Sequence, residues 1–135
     1  MNPVTVDIKD KLVAAGQGTF AATTGWGIYL AHEPITPNTT ITIYERGGTT
    51  QYFQNRSKSP LRIDSFQVRV RGVGYIASYN KAKSVQDTLT GLSGFRIGDV
   101  RYSLVANETE ILLFDMDERD RYIWIANYNA FRQED

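Results

Sequence analysis

The chain has 135 residues with no cysteine, two methionines, two tryptophans and a single histidine. Without cysteine there is no disulfide framework, no thiolate metal site and no cysteine nucleophile. Any serine–histidine mechanism would have to run through His32, and Gly91-Leu92-Ser93-Gly94 lacks the spacing of a nucleophile elbow. His32 reads instead as a residue at a strand end before Pro34. An excess of one charge is also missing: lysine plus arginine and aspartate plus glutamate each total 15. That balance argues against affinity built on neutralising many phosphates. Long apolar runs are absent too, the most notable being Ile111 to Phe114, far short of a membrane span. The start, Met1-Asn2-Pro3-Val4-Thr5-Val6-Asp7, has neither the basic nor the apolar region of a signal peptide, so the expectation is no membrane and no export by that route.

What is present is ordinary globular composition, 41% hydrophobic and 22% charged, at a length that suits a single domain over 1–135. Asn2 is placed to cap a helix with Pro3 at its first position. Ile8, Leu12 and Ala15 then recur on one face before Gly16, predicting a helix over 3–15. Residues 17–25 are small and polar without periodicity and read as a connecting loop. Trp26 to Glu33 and Thr39 to Arg46 are rich in β-branched and aromatic residues and read as two strands. The polar stretch 47–60, with Tyr52 and Phe53 as apolar anchors and Arg56 and Lys58 near its centre, reads as a long hairpin loop or arm.

Phe66, Val68 and Val70 alternate with Gln67, Arg69 and Arg71 in the next strand, which Gly72-Val73-Gly74 ends. Tyr75, Tyr79, Ala82, Val85 and Leu89 follow steps of three and four, with Ser78, Lys81 and Asp87 off the stripe, predicting a second helix over 75–90 closed near Gly91. Strands return at Val100–Ala106, Glu110–Met116 and Tyr122–Phe131, with turn chemistry at Asn107-Glu108 and at 117–120. The order predicts an α+β domain with a mainly antiparallel mixed sheet and two helices packed on one face.

Three groups of residues invite a functional reading. Gly16-Gln17-Gly18-Thr19-Phe20-Ala21 matches the dinucleotide fingerprint in letters but follows a helix, where the motif requires a strand before it and a helix after it. Asp115, Asp117, Glu118 and Asp120 are dense enough to suggest oxygen ligands, yet the calcium-loop glycine and distal glutamate are missing and Arg119 and Arg121 are interleaved. Local ion pairing in a turn is the better account, so no cofactor or metal is expected. Arg69 and Arg71 lie either on a solvated sheet face or in a subunit contact, pairing with Asp115, Asp117 or Glu118 of a neighbour. The last two strands carry apolar residues on both faces, Ile123 and Ile125 opposing Tyr122 and Trp124. Helices on one face leave the other in need of cover, which predicts self-association through Ile123 and Ile125.

The chain resembles the tail terminator, or minor capsid, family of long-tailed bacteriophages. The resemblance is carried by Gly27-Ile28-Tyr29-Leu30 leading to Glu33-Pro34 and Pro37, and by Ile41-Thr42-Ile43-Tyr44 ending in Gly47-Gly48. It continues through Phe66-Gln67-Val68-Arg69-Val70-Arg71-Gly72 with Tyr75, Ala82, Leu89 and Gly91, and closes with Phe114-Asp115-Met116-Asp117-Glu118-Arg119 and the strand through Asn127. It implies a non-enzymatic subunit of a hexameric ring at the tail–head junction of the virion, assembled in the host cytoplasm. Such a ring caps the tail tube, ends tube polymerisation and meets a head completion or stopper protein, while DNA passes its lumen without specific binding. In that setting the residues 48–60, Tyr52 to Lys58 included, would form an arm toward a neighbour, the tube or the lumen. The rival readings are another neck or head completion protein, and a small enzyme or ligand-binding domain built on His32 and the acidic cluster.

Overall fold

In the computed structural model the described residues are 1–51 and 60–134, so the expected contacts of Tyr52, Phe53, Arg56 and Lys58 lie outside them. Among the described residues the chain forms α1 (Val4–Ala14), β1 (Thr19–Phe20), β2 (Gly27–Leu30), β3 (Thr40–Gln51) and β4 (Leu61–Val73). It continues with α2 (Tyr75–Thr90), β5 (Ser93–Ile97), β6 (Val100–Asn107), β7 (Leu112–Met116) and β8 (Arg121–Glu134). The strands join one mixed sheet in the order β1-β2-β3-β4-β8-β6-β5, and β7 also pairs with β8. This is the expected α+β arrangement: β1, β2 and β3 run parallel to one another, and every other pairing is antiparallel.

The core lies between the two helices and one sheet face. Val4, Ile8 and Leu12 of α1 and Ala82, Val85 and Leu89 of α2 meet Ile41, Ile43, Phe66, Val68, Val70 and Tyr128 there. The alternation in β4 puts Phe66, Val68 and Val70 on that face, as its period of two requires.

The start of α1 and the buried stripe of α2 depart in detail from expectation. Asn2 does not cap α1: Pro3 is the N-cap with an extended ψ of 145°, so the helix begins one residue later and makes no side-chain cap bond. The Asn2 carbonyl instead accepts a hydrogen bond from Arg132 Nη1 at 2.8 Å. The other end of α1 follows its glycine. With Gly16 at φ +76°, the Gly16 N–H bonds the Val13 carbonyl and the Gln17 N–H the Leu12 carbonyl, a paired closure that satisfies two orphan acceptors. In α2 the buried stripe begins with Ser78, 1% exposed, and not with the tyrosines. Trp124 explains this, because its buried indole N–H needs an acceptor and finds Ser78 Oγ at 2.8 Å. Tyr75 and Tyr79 pack edge-on against Trp124 and keep their outer sides exposed.

The predicted loop 47–60 is in part strand. β3 and β4 stay paired from Thr40↔Arg71 out to Gln51↔Leu61, with a bulge between Glu45 and Gly47. Gly47 absorbs the bulge at φ +81°, and a Cβ on Gly48 would stand 2.2 Å from the Ile63 carbonyl. These glycines permit close passage within a ladder where the sequence pattern suggests a strand end. β5 and the short β1 were likewise not expected. Gly94 within β5 and Gly98 just after it, both at positive φ, give the strand turn-like letters, and β1 has only two residues.

A buried polar cluster ties α1 to the far end of β8. The Tyr102 hydroxyl donates to Asp7 Oδ2 at 2.5 Å, Arg132 Nε donates to Asp64 Oδ2 at 2.5 Å, and Arg132 Nη1 lies 3.7 Å from Asp7 Oδ2. Asp7, Tyr102 and Arg132 are all essentially buried, so each charge there depends on its partner.

Candidate subunit-contact surface

β7 begins from the sequence Leu112-Leu113-Phe114-Asp115-Met116, which reads as a strand with apolar residues facing both ways. Four of its five residues pair with Ile125 to Tyr122 of β8, and Phe114 stands in a bulge between Leu113 and Asp115. All five are exposed, and among the described residues β7 has β8 as its one ladder partner. The bulge leaves the Phe114 ring under the Arg69 guanidinium, 5.1 Å from its centroid, on the face away from the helices. Leu113 and Met116, in register with Trp124 and Tyr122, fall on the helix side.

That helix side continues onto α2. Tyr75 lies 5.6 Å from Tyr122 and 5.2 Å from Trp124, and Tyr79 lies 5.1 Å from Trp124, with Ile76 on the next exposed position. Among the described residues, eight of the thirteen exposed large hydrophobic side chains sit in 73–79 or in β7: Val73, Tyr75, Ile76, Tyr79, Leu112, Leu113, Phe114 and Met116. Clustering of this kind marks a contact surface, whereas scattered exposed apolar residues are ordinary.

The turn after β7 is closed by Asp117. Its Oδ1 accepts the backbone N–H groups of Arg119 and Arg121 at 3.0 and 3.1 Å, and its Oδ2 pairs with the Arg121 guanidinium at 2.7 Å. Partial burial pushes the Asp117 carboxyl up, but the hydrogen bonds from Arg121 and Arg119 outweigh it and hold the carboxyl below the usual carboxylate range. Asp117 is therefore committed to its own turn, while Asp115 and Glu118 stand exposed beside β7.

Arg69 and Arg71 of β4 are held by their own chain. Arg71, 3% exposed, lies 3.5 Å from Glu33 Oε1 and donates to the carbonyls of Pro34 at 2.6 Å and Pro37 at 2.8 Å. Burial pushes its guanidinium below the usual value, and Glu33 opposes that shift. Arg69 shares Glu33 at 3.6 Å and keeps a partly exposed side chain. With Arg121 Nη1 donating to the Ile35 carbonyl, these contacts bind the crossover 31–39 to the sheet face opposite the helices. Arg71 thus directs its guanidinium to its own chain.

The same face bears on the expectation for β8. Ile123 is 6% exposed, in register with Arg71 on one side and Asp115 on the other, and is roofed by its own chain. Ile125 is half-buried between Arg69 and Leu112 in register. β8 is flanked on both sides, so the uncovered apolar surface moves outward to β7 and to the start of α2. The exposure of Tyr75, Ile76 and Tyr79 escaped the sequence reading; the one available signal was the Tyr-Ile pair directly after the Gly74 break. His32 is exposed on the crossover, and the Gly16–Ala21 segment leads from α1 into β1, the reverse of a dinucleotide site.

By fold, then, this is a small α+β protein with a two-layer core and an exposed apolar edge at β7. A solved structure described as "Virion of native gene transfer agent (GTA) particle" has a similar fold, with a TM-score of 0.65 at 12% identity, covering 96% of this chain and 94% of that one. No curated protein sequence matches the chain. The family described as "Bacteriophage tail terminator protein" matches residues 11–133, almost the whole length. The chain belongs to that family and is a structural protein of the phage virion.

Proposed function

We propose that this protein assembles as a closed ring, with six copies as the expected number, that caps the head-proximal end of a phage tail tube, ends tube growth and joins tail to head. Family membership supplies the setting, and the apolar surface formed by β7 and the start of α2 carries the reading. A patch of that extent is costly for a solitary subunit and useful for one that meets identical copies. The similarity of fold to a virion component supports a place among other particle proteins. In this reading the exposed Asp115 and Glu118 and the partly exposed Arg69 contribute polar contacts at the margin of the seam.

The test is mass and position together. Sedimentation should show a species of about six times the 15.3 kDa subunit, alone or on addition of tail tubes. Electron microscopy should show it as a cap at one tube end, with tube elongation halted. Binding along tube walls, or tubes that keep growing in its presence, would overturn the assignment.

A further inference from the structure

We infer that neighbouring copies join edge to edge, β7 of one copy receiving β1 of the next. This rests on the ring reading above and specifies its seam. The sheet runs without a break through β1-β2-β3-β4-β8, with β7 attached on the far side of β8. β1 and β7 are therefore two open edges of this ribbon, β5 beyond β6 being a third, and a contact between unlike edges repeats until rotation closes it.

The backbone at β1 is arranged for such a contact. The Thr19 and Ala21 N–H groups turn inward to the Trp26 and Ile28 carbonyls at 3.0 and 2.8 Å. In a parallel ladder alternate residues bond to opposite sides, so the intervening Phe20 presents its N–H and carbonyl outward. Its ring is 49% exposed.

Charge selects unlike over like ends. Two β7 strands side by side would bring Asp115, Glu118 and Asp120 of both copies together, a repulsive pairing. The β1 end offers a cation instead: the Lys9 ammonium lies over the Phe20 ring at 4.7 Å, with Asp10 as its own-chain partner at 2.7 Å. The helix layer agrees. α1 packs over β1, β2 and β3, and α2 over β4, β6 and β8, both against the same core. Extending the sheet from β7 into the next β1 sets the exposed Val13 flank of α1 beside the Ile76 and Tyr79 flank of α2. Both layers then continue across the seam, and the apolar patch is covered.

A chain without cysteine makes the test clean. Phe20→Cys and Phe114→Cys both replace exposed side chains, and adjacent strands bring facing Cα atoms to about 4.5–5.5 Å, within disulfide reach. Oxidising a mixture of the two single variants should shift the 15.3 kDa band to a cross-linked dimer, and the double variant should give a ladder ending at the ring. Thermal melts of each reduced variant, expected to match the parent, report folding. Efficient dimerisation of Phe114→Cys alone would overturn the inference, because it would mean like ends meet. So would a ring of normal mass that yields no cross-link between any of residues 19–21 and any of 112–114, and that result leaves the ring reading intact. A parent protein that stays monomeric on tail tubes would sink both.

Discussion

Replacing Glu33 by alanine removes the carboxylate that faces Arg69 at 3.6 Å and Arg71 at 3.5 Å. Arg71 is 3% exposed, so its guanidinium cannot turn to water once the carboxylate is gone. Deleting one partner of a buried pair costs about 3–5 kcal/mol. Two features reduce that here: the pair is long for a hydrogen bond, and Arg71 keeps the Pro34 and Pro37 carbonyls at 2.6 and 2.8 Å. We expect a loss of about 2–3 kcal/mol, a large share of a typical total of about 5–15 kcal/mol. Urea denaturation followed by tryptophan fluorescence measures it directly. By heat, the midpoint should fall by roughly 6–15 °C. Glu33→Gln should fall between, since the amide oxygen still accepts while the charge is lost. Adding Arg71→Met to Glu33→Ala should recover part of the loss by removing the stranded cation. A change below about 0.5 kcal/mol for Glu33→Ala would place the pair among solvated surface contacts and refute the reasoning.

Two further predictions concern the buried polar groups. Asp7→Ala takes the acceptor from the Tyr102 hydroxyl and one carboxylate from the Arg132 cluster, and should cost about 2–4 kcal/mol with earlier fraying of α1; amide exchange in residues 4–14 no faster than in the parent would contradict it. At high pH, burial raises the phenols of Tyr102 and Tyr128 above the ordinary tyrosine value, with the hydrogen bond to Asp7 adding to the effect at Tyr102. The unfolded chain then sheds protons above pH 10 that the folded chain keeps. Stability should therefore be unaffected by these groups below pH 10 and fall by up to about 1.4 kcal/mol per pH unit per phenol above it. Titrating phenolate absorbance alongside the unfolding midpoint checks this, and all eight tyrosines ionising near pH 10 in an intact fold would refute it.

The parts of the fold that were legible are those whose side chains repeat on one period. Phe66, Val68 and Val70 announce β4, and Ala82, Val85 and Leu89 announce α2, because each set faces a single continuous core. Legibility failed where backbone geometry or distant contacts decide. Gly47 and Gly48 look like a strand end, but one absorbs a bulge and the other makes room for a neighbouring strand. Gly94 and Gly98 conceal β5 for a similar reason. The parallel pairing of β2 with β3 depends on a crossover without a helix, which no periodicity encodes.

At the candidate site, the apolar letters of β7 were visible, and so was an excess of grease over helix cover. Ile123 is instead buried within its own chain, on the face where Arg71 and Arg121 bind the crossover 31–39 through backbone carbonyls that any sequence possesses. Ser78 was misplaced for the converse reason: a single indole N–H from a strand 46 residues away turned a polar side chain inward.

β8 is aligned with β4 over twelve successive residue pairs, from Arg62↔Arg132 to Val73↔Arg121. β7 is attached near one end of this long rail, and the α1 anchor at Arg132 near the other. A pull transmitted through β7 along the strand direction would meet those cross-links in shear, all loaded at once, and would not open them one after another. A subunit gripped by this edge would slide as a unit before its sheet came apart.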